Sequence, residues 1–598
     1  MIQKRKLKLL LVFMGIFAAF IMIAGCGTDD DPKRISIKFI ETTDIHGFIF
    51  PYDFVEDKAV NHSLAQIYTY VKEERKDYKN VILLDNGDIL QGQPITNYYN
   101  YTKDPAVDFH IVPSVMNYMG YDAGTIGNHD IEPGHHVFDA LVTQFNFPWM
   151  SANTIDTATG KPYFTPYAVI EREGLKVAVL GLTTPAIPNW LPEITWSGME
   201  FEDMIDSASY WVEYIKEHEN PDIMIGLFHA GYDYTYGGVD ENTYKNENAS
   251  VLVAEKVPGF DIIFIGHDHM VRDEIVNSVH IIGAKNAADS VATAEVTAKW
   301  NSKGQKWDLD IAGEVVDAKV MDPDPDFMAH FDYALQETKA FVSGKVCDFT
   351  ESTSSRDSLF GDSSFNDLIH NLQFKVVESE MGKTADISFA APLQFDKTIN
   401  AGPVYVRDMY KLYLYENWLY LMELTGQEVK DAMEYSYSLW TNQMQSADDH
   451  LINFKSYDEA TGVYETATRY YNYDSAAGIL YDVDLTKPAG ERVVIKSMAD
   501  GTPFDLNATY LCAVNSYRGG GGGGHLTTGA GISSSDLAKR IVDRTARDLR
   551  YYLMTELEKE VTVTPKAIGN WKFIPEDWAV AGAAKDRAII YSSDSGAH

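Results

Sequence analysis

At 598 residues the chain has room for two to four domains, which excludes a single small binding module. Hydrophobic residues make up 45% and aromatics 12%, too much core-forming material for a disordered chain. With 50 Lys and Arg against 87 Asp and Glu, the net charge of −37 disfavours duplex nucleic acid and anionic lipid surfaces as partners. A phosphate-bearing ligand must then be small, or be captured by something stronger than net charge, such as a bound metal.

Lys4, Arg5, Lys6 and Lys8 precede an uncharged run over 9–25, the order of an export signal. The run is a little short for a spanning helix, which needs about 20 residues. It ends Ile23-Ala24-Gly25-Cys26, which resembles the bacterial lipobox, where cleavage precedes a lipidated Cys. The expectation is an exported lipoprotein tethered to the bacterial surface, or facing the periplasm, through Cys26; an uncleaved anchor is the alternative. Acidic 29–31 reads as a spacer. The other two cysteines, Cys347 and Cys512, are too few for a disulfide framework.

From residue 35 to about 320, short β-rich runs alternate with helical ones, an α/β layer pattern. The runs 35–42, 81–85, 176–183, 222–228 and 260–265 read as buried strands, each stopping at a polar or glycine-containing turn. Residues 63–78 read as an amphipathic helix behind a Ser suited to be its N-cap. Met321-Asp-Pro-Asp-Pro-Asp326 breaks the pattern and places an inter-lobe linker, followed by a helix to about 340. The second lobe carries a helical pattern near 535–560 and a six-glycine run over 519–524, then a tail after 578 that reads as small, polar and frayed.

The chemistry-bearing residues sit where predicted strands end: Asp44 and His46, Asp88, Asn128 and His129, His229, and His267 and His269. Loops beyond strand C-termini converge in α/β sheets, so five such loops share one site. Imidazoles, carboxylates and one amide oxygen suit a pair of divalent transition-metal ions, which ionise water and neutralise phosphoryl oxygens. A lone His after a strand is usually a satisfied polar residue and a lone Gly-Asp a turn; the weight lies in all five together.

In this order, Asp-x-His, Gly-Asp, Gly-Asn-His-Asp, His and Gly-His-x-His resemble the calcineurin-like metallophosphoesterases. Glu41-Thr-Thr-Asp-Ile-His46, Leu84-Asp-Asn-Gly-Asp-Ile-Leu-Gln-Gly-Gln93 and Leu180-Gly-Leu-Thr-Thr184 resemble the bacterial 5′-nucleotidase family within them. In the second lobe, Leu412-Tyr-Leu-Tyr-Glu-Asn417, Tyr471-Asn-Tyr-Asp474, Asn515-Ser-Tyr-Arg-Gly-Gly520 and Asn570-Trp571 point to its bifunctional 2′,3′-cyclic-nucleotide 2′-phosphodiesterase/3′-nucleotidase branch.

The resemblance implies an α/β fold in which an N-terminal β-sandwich with flanking helices is followed by a C-terminal α/β substrate-binding domain. The expected division is signal 1–26, spacer 27–33, catalytic lobe 34–320, linker and helix 321–345, nucleotide-recognition lobe 346–577 and tail 578–598. The resemblance further implies Asp44, His46 and His269 on one metal, Asn128, His229 and His267 on the other, and Asp88 bridging. Mn, Zn, Co or Fe would each suit that ligand set. His129 becomes a proton donor or charge stabiliser at the leaving oxygen, oriented by Glu132 or by Asp130.

Tyr415 and Tyr517 stand where related enzymes present tyrosines to the base, with Tyr473 next in line, although a chain with 36 tyrosines offers ordinary surface and core positions too. Arg518 beside Tyr517 would add charge or stacking. Gly519, Gly520 and the rest of the run either admit a ligand to backbone amides or form a hinge-like loop. The implied activity opens 2′,3′-cyclic nucleotides at the 2′ bond and then removes the 3′-phosphate. A 5′-nucleotidase or nucleotide-sugar hydrolase, and a non-catalytic surface protein binding nucleosides or a host partner, are the alternatives.

Overall fold

The computed structural model describes residues 33–457 and 464–591; the export signal and Cys26 lie outside them. Among the described residues no helix is long and apolar enough to cross a membrane.

The first lobe is two six-stranded sheets packed face to face. One runs Lys306–Asp317, Ser290–Asn301, Arg34–Thr42, Val81–Asp85, Ala123–Thr125, Trp149–Met150. The other runs Arg272–Val276, Val279–Gly283, Ile262–Ile265, Ile223–His229, Leu175–Thr183, Tyr167–Arg172. Strand periodicity divides the residues between layers: Ile37 and Phe39 join Ile82, Leu84, Val177, Val179, Leu227 and Phe264 between the sheets. Ile40 and Leu83 point the other way, under the helix Leu64–Asp77. Burial on both faces explains why these strands read as unbroken apolar runs. Ser63 caps that helix as expected, its side chain accepting the Ala65 N–H.

The central strands of each sheet are parallel and in register, Thr42 beside Asp85 in one, Thr183 beside His229 and Phe228 beside Ile265 in the other. Their C-terminal ends therefore align. The site lies where the two sheets meet along that rim.

Asp324 caps the helix Pro325–Val342, whose Phe327, Phe331, Ala334 and Val342 enter the same core as Leu64 and Ile67. The stretch expected as a linker is thus packed against the first lobe. In the second lobe a five-stranded sheet, Ser475–Ala477, Ile387–Ala390, Thr509–Asn515, Leu419–Thr425, Ile541–Arg544, is buried on both faces: Tyr420, Met422 and Leu424 on one, Leu419 and Leu421 on the other.

Two expectations are corrected here. The pattern over 535–560 is not one helix: short helical turns lead into the edge strand Ile541–Arg544, and the one longer helix there is Leu549–Glu558, capped by Asp548. The stretch from 578 is no frayed tail up to Ile590. Glu576–Ile590 is a helix whose buried Asp586 accepts the Leu451 and Ile452 N–H groups, with Ile590 in the second-lobe core.

Candidate functional site

Each strand end delivers its side chains through a tight turn. Asp44 and His46 follow Arg34–Thr42, and their N–H groups donate to the carbonyls of Gly87 and Asp88 at 2.9 Å, knitting two loops together. Asp44, His46, Asp88, His267 and His269 all have positive φ, from 48° to 74°. A non-glycine residue there costs on the order of 1–3 kcal/mol, and such positions cluster at functional sites. Gly127 permits the closest approach, since a Cβ on it would lie 2.1 Å from Asp88 Oδ1. The His129 N–H then reaches the same oxygen at 2.7 Å.

Two groups of possible metal ligands result, Asp44 with His46 and His269, and Asp88 with His229 and His267, the ligand atoms of each within 4.8 Å of one another. In the first, His46 Nε2 and His269 Nε2 face each other at 3.1 Å and His269 Nε2 lies 3.3 Å from Asp44 Oδ1. In the second, His229 Nε2 lies 3.1 Å from Asp88 Oδ2 and 3.2 Å from Asn128 Oδ1.

These residues fit divalent cations. Asp44 Oδ1 is buried and, apart from the His269 imidazole at 3.3 Å, has no polar partner among the described residues. Opposed imidazole nitrogens need a shared proton or a cation between them, and the N/O donor set suits borderline metals. Burial alone would pull His229 and His129 down, yet the Asp88 carboxylate holds them up, to about 10 and about 9, with Glu132 adding to His129. Against its own burial, Asp88 is held well below the usual carboxylate range by His229 and His129. His46 is instead depressed to about 4, by burial and by the neighbouring His269. The two buried carboxylates, Asp44 and Asp88, need compensating positive charge, which protonated imidazoles or bound cations can supply.

His129 stands outside both groups, edge-on to His46 at 5.4 Å. Its Nδ1 meets Glu132 Oε2 at 2.5 Å, which leaves Nε2 as the nitrogen available to a ligand.

The second lobe faces this centre. Asn97 Nδ2 and Tyr101 OH donate to Glu416 at 3.1 and 3.3 Å, and Glu416 also pairs with Arg550 at 2.8 Å, so the 412–417 segment is fixed to the first lobe. The adjacent half-buried Tyr415 meets the Tyr471 ring at 6.3 Å and lies within electrostatic reach of Tyr517. Tyr517 in turn lies within electrostatic reach of Tyr236 and Glu247 of the first lobe. Tyr415 and Tyr517 thus share one neighbourhood with Tyr471, and Tyr517 adjoins Glu247, whose carboxylate meets His267.

The calcineurin-like phosphoesterase family matches residues 37–271, and the 5′-nucleotidase C-terminal domain matches 342–529. Residues 37–271 therefore form a calcineurin-like phosphoesterase domain. The chain is a metal-dependent phosphoester hydrolase. It is 27% identical to the trifunctional nucleotide phosphoesterase protein YfkN of Bacillus subtilis, over 91% of this chain and 39% of YfkN. It is 26% identical to the 2′,3′-cyclic-nucleotide 2′-phosphodiesterase/3′-nucleotidase of Haemophilus influenzae, over 90% of this chain and 88% of that one. A 5′-nucleotidase structure from Staphylococcus aureus shares the fold, with a TM-score of 0.73 at 20% identity over 90% of this chain and 99% of that one.

Several expected site residues of the phosphoesterase are used differently. Asp130 does not face His129: its carboxylate accepts the N–H groups of Gly127, Asp88, Ile89 and Leu90, building the turn that carries Asp88. Tyr473 is a core residue, stacked on Trp440 at 5.2 Å and unavailable to a base. Arg518 is buried and all five of its donors are taken, by Asp474 twice, Asn472, Gly522 O and Tyr471 O. Gly519 packs on Tyr420, where a Cβ would come within 2.6 Å, while exposed Gly520 lies against Asn189 of the first lobe.

Steric crowding gives the glycine run a reason of its own. A Cβ at Gly522 would enter the Tyr517 ring at 2.5 Å, and Gly521, Gly523 and Gly524 have positive φ. The loop is glycine-rich because it folds tightly over Tyr517 and Arg518.

Sequence reasoning missed Glu247, whose Oε1 meets His267 Nε2 at 3.0 Å, and Trp190, tilted over the His267 ring at 5.5 Å. Both sit in loops without a motif. It also passed over Tyr471, the neighbour of Tyr415, though the Tyr471-Asn-Tyr-Asp474 motif contains it; alternation within the motif was the signal, since Tyr473 points into the core.

Proposed function

We propose that this phosphoesterase hydrolyses 2′,3′-cyclic nucleotides at the 2′ bond and then the resulting 3′-nucleotides, yielding nucleoside and phosphate outside the cell. The observation that carries the reading is the paired ligand groups with the His129–Glu132 pair beside them, and a second-lobe tyrosine, Tyr517, adjoining Glu247 behind His267. The names of the relatives that span nearly all of this chain support the same substrate class.

Asp44, His46 and His269 would hold one ion, Asn128, His229 and His267 the other, and Asp88 both. Two such ions supply a water nucleophile at neutral pH and a clamp for the phosphoryl oxygens. Glu132 accepts from His129 Nδ1 and fixes the ring, so that Nε2 can give a proton to the departing ribose oxygen. Tyr415 and Tyr517 offer their faces to the base. Tyr471 backs Tyr415.

The test is a panel of 2′,3′-cyclic AMP, 3′-AMP, 5′-AMP and UDP-glucose with added manganese. The first two should be turned over fastest; a large preference for 5′-AMP would sink the cyclic-nucleotide reading. The basic, then apolar N-terminus ending at Cys26 supports export and lipid tethering. Cys26→Ser should release the protein from membranes or leave its signal uncleaved, and wild-type protein found free in the medium with residues upstream of Cys26 intact would refute tethering.

A further inference from the structure

Three imidazoles of the centre have one ring nitrogen pinned by a partner outside the ligand groups. For His46 and His229 that nitrogen is Nδ1, held against the carbonyls of Gln91 at 3.1 Å and Asn86 at 2.6 Å, and Nε2 points inward. His267 is reversed: Nε2 is the pinned nitrogen, and its partner is a carboxylate, Glu247 Oε1, at 3.0 Å. Nδ1 is then the nitrogen left for Asp88 and His229.

The backbone that carries Glu247 is held in place. Thr184 Oγ1 donates to the Glu247 carbonyl at 3.0 Å. On either side, buried Asn246 donates to the Tyr234 carbonyl at 2.9 Å and buried Asn248 accepts the Gly231 N–H at 3.1 Å. Trp190 flanks the ring at 5.5 Å and 30°, restricting rotation of His267.

We infer that Glu247 is a positioning residue for the second metal site: by accepting from Nε2 it fixes the His267 tautomer and ring direction and strengthens Nδ1 as a donor. The inference rests on the dinuclear reading above. A carboxylate behind a ligating imidazole raises its basicity, and removing such a partner typically weakens metal binding about 10–100-fold.

The experiment measures metal stoichiometry and affinity by dialysis against buffered manganese with elemental analysis, on wild type, Glu247→Gln and Glu247→Ala. Wild type should bind two ions. Glu247→Ala should bind one with wild-type affinity and the other about 10–100-fold more weakly. Glu247→Gln keeps an acceptor oxygen and should fall between. All three should melt alike in excess chelator, because the pair lies at the rim rather than in either core.

Two ions bound by Glu247→Ala with wild-type affinity would overturn the inference alone. A loss in Glu247→Gln as large as in Glu247→Ala would also overturn it, making Glu247 a ligand in its own right. Fewer than two ions in wild type would instead defeat the dinuclear reading itself.

Discussion

Asp130 and Glu132 lie one residue apart on either side of Ile131 and serve different ends. Glu132 meets the His129 ring, whereas Asp130 gathers four backbone N–H groups beneath Asp88. His129→Ala should leave metal content intact and lower turnover by roughly 10²–10⁴, the range for a general acid–base group. Glu132→Gln should do the same more mildly. Asp130→Ala should differ in kind, losing metal as well as rate, because the Asp88 turn loses its organiser. Metal analysis beside kcat on the three variants separates the roles; if Glu132→Gln empties the site and Asp130→Ala does not, the assignments are reversed.

At the scale of elements, buried strands were legible because burial on both faces demands apolar side chains throughout and the functional turn ends them abruptly. Val81–Asp85 emerges with the bounds its sequence suggested. The edge strand Ile541–Arg544 was not legible: half its residues are charged, and pairing with Leu419–Thr425 makes it a strand where local pattern favoured helix. The terminal helix was misread because alanines look merely small, although they are the strongest helix formers.

The ligand turns were legible by motif. Glu247 was not, since its partnership with His267 spans 20 residues and exists only once the loop is folded.

The glycine run shows how packing can account for a composition that sequence alone reads as a loop. A run of glycines suggests mobility, yet close approach to Tyr517 accounts for it. Gly522→Ala should therefore push the Tyr517 ring aside. If one stacking face is lost, worth about 1–3 kcal/mol, KM for nucleotides should rise about five-fold or more while the metal centre is untouched. An unchanged KM would mean the loop yields, and would restore the mobile reading.

Across the whole molecule, the lobes divide the task that net charge makes difficult. A chain of net charge −37 repels nucleotide anions at long range, so in the proposed reading capture would fall to the metal centre for phosphate and to uncharged ring faces for the base. Glu416, Asn97, Tyr101 and Arg550 hold the two halves in register, setting Tyr415 against the first lobe. Replacing Tyr415 and Tyr517 together by Ala should then raise KM for 2′,3′-cyclic nucleotides roughly ten-fold or more, since each face contributes about 1–3 kcal/mol. Hydrolysis of bis(p-nitrophenyl) phosphate needs the first lobe alone and should barely change. The ratio of the two substrates, measured on one preparation, controls for loss of metal or fold. Equal damage to both would make the tyrosines structural. If neither suffers, the base is read elsewhere, and Tyr471 and Tyr236 are the rings to replace next, because they lie in the same cluster, one from each lobe.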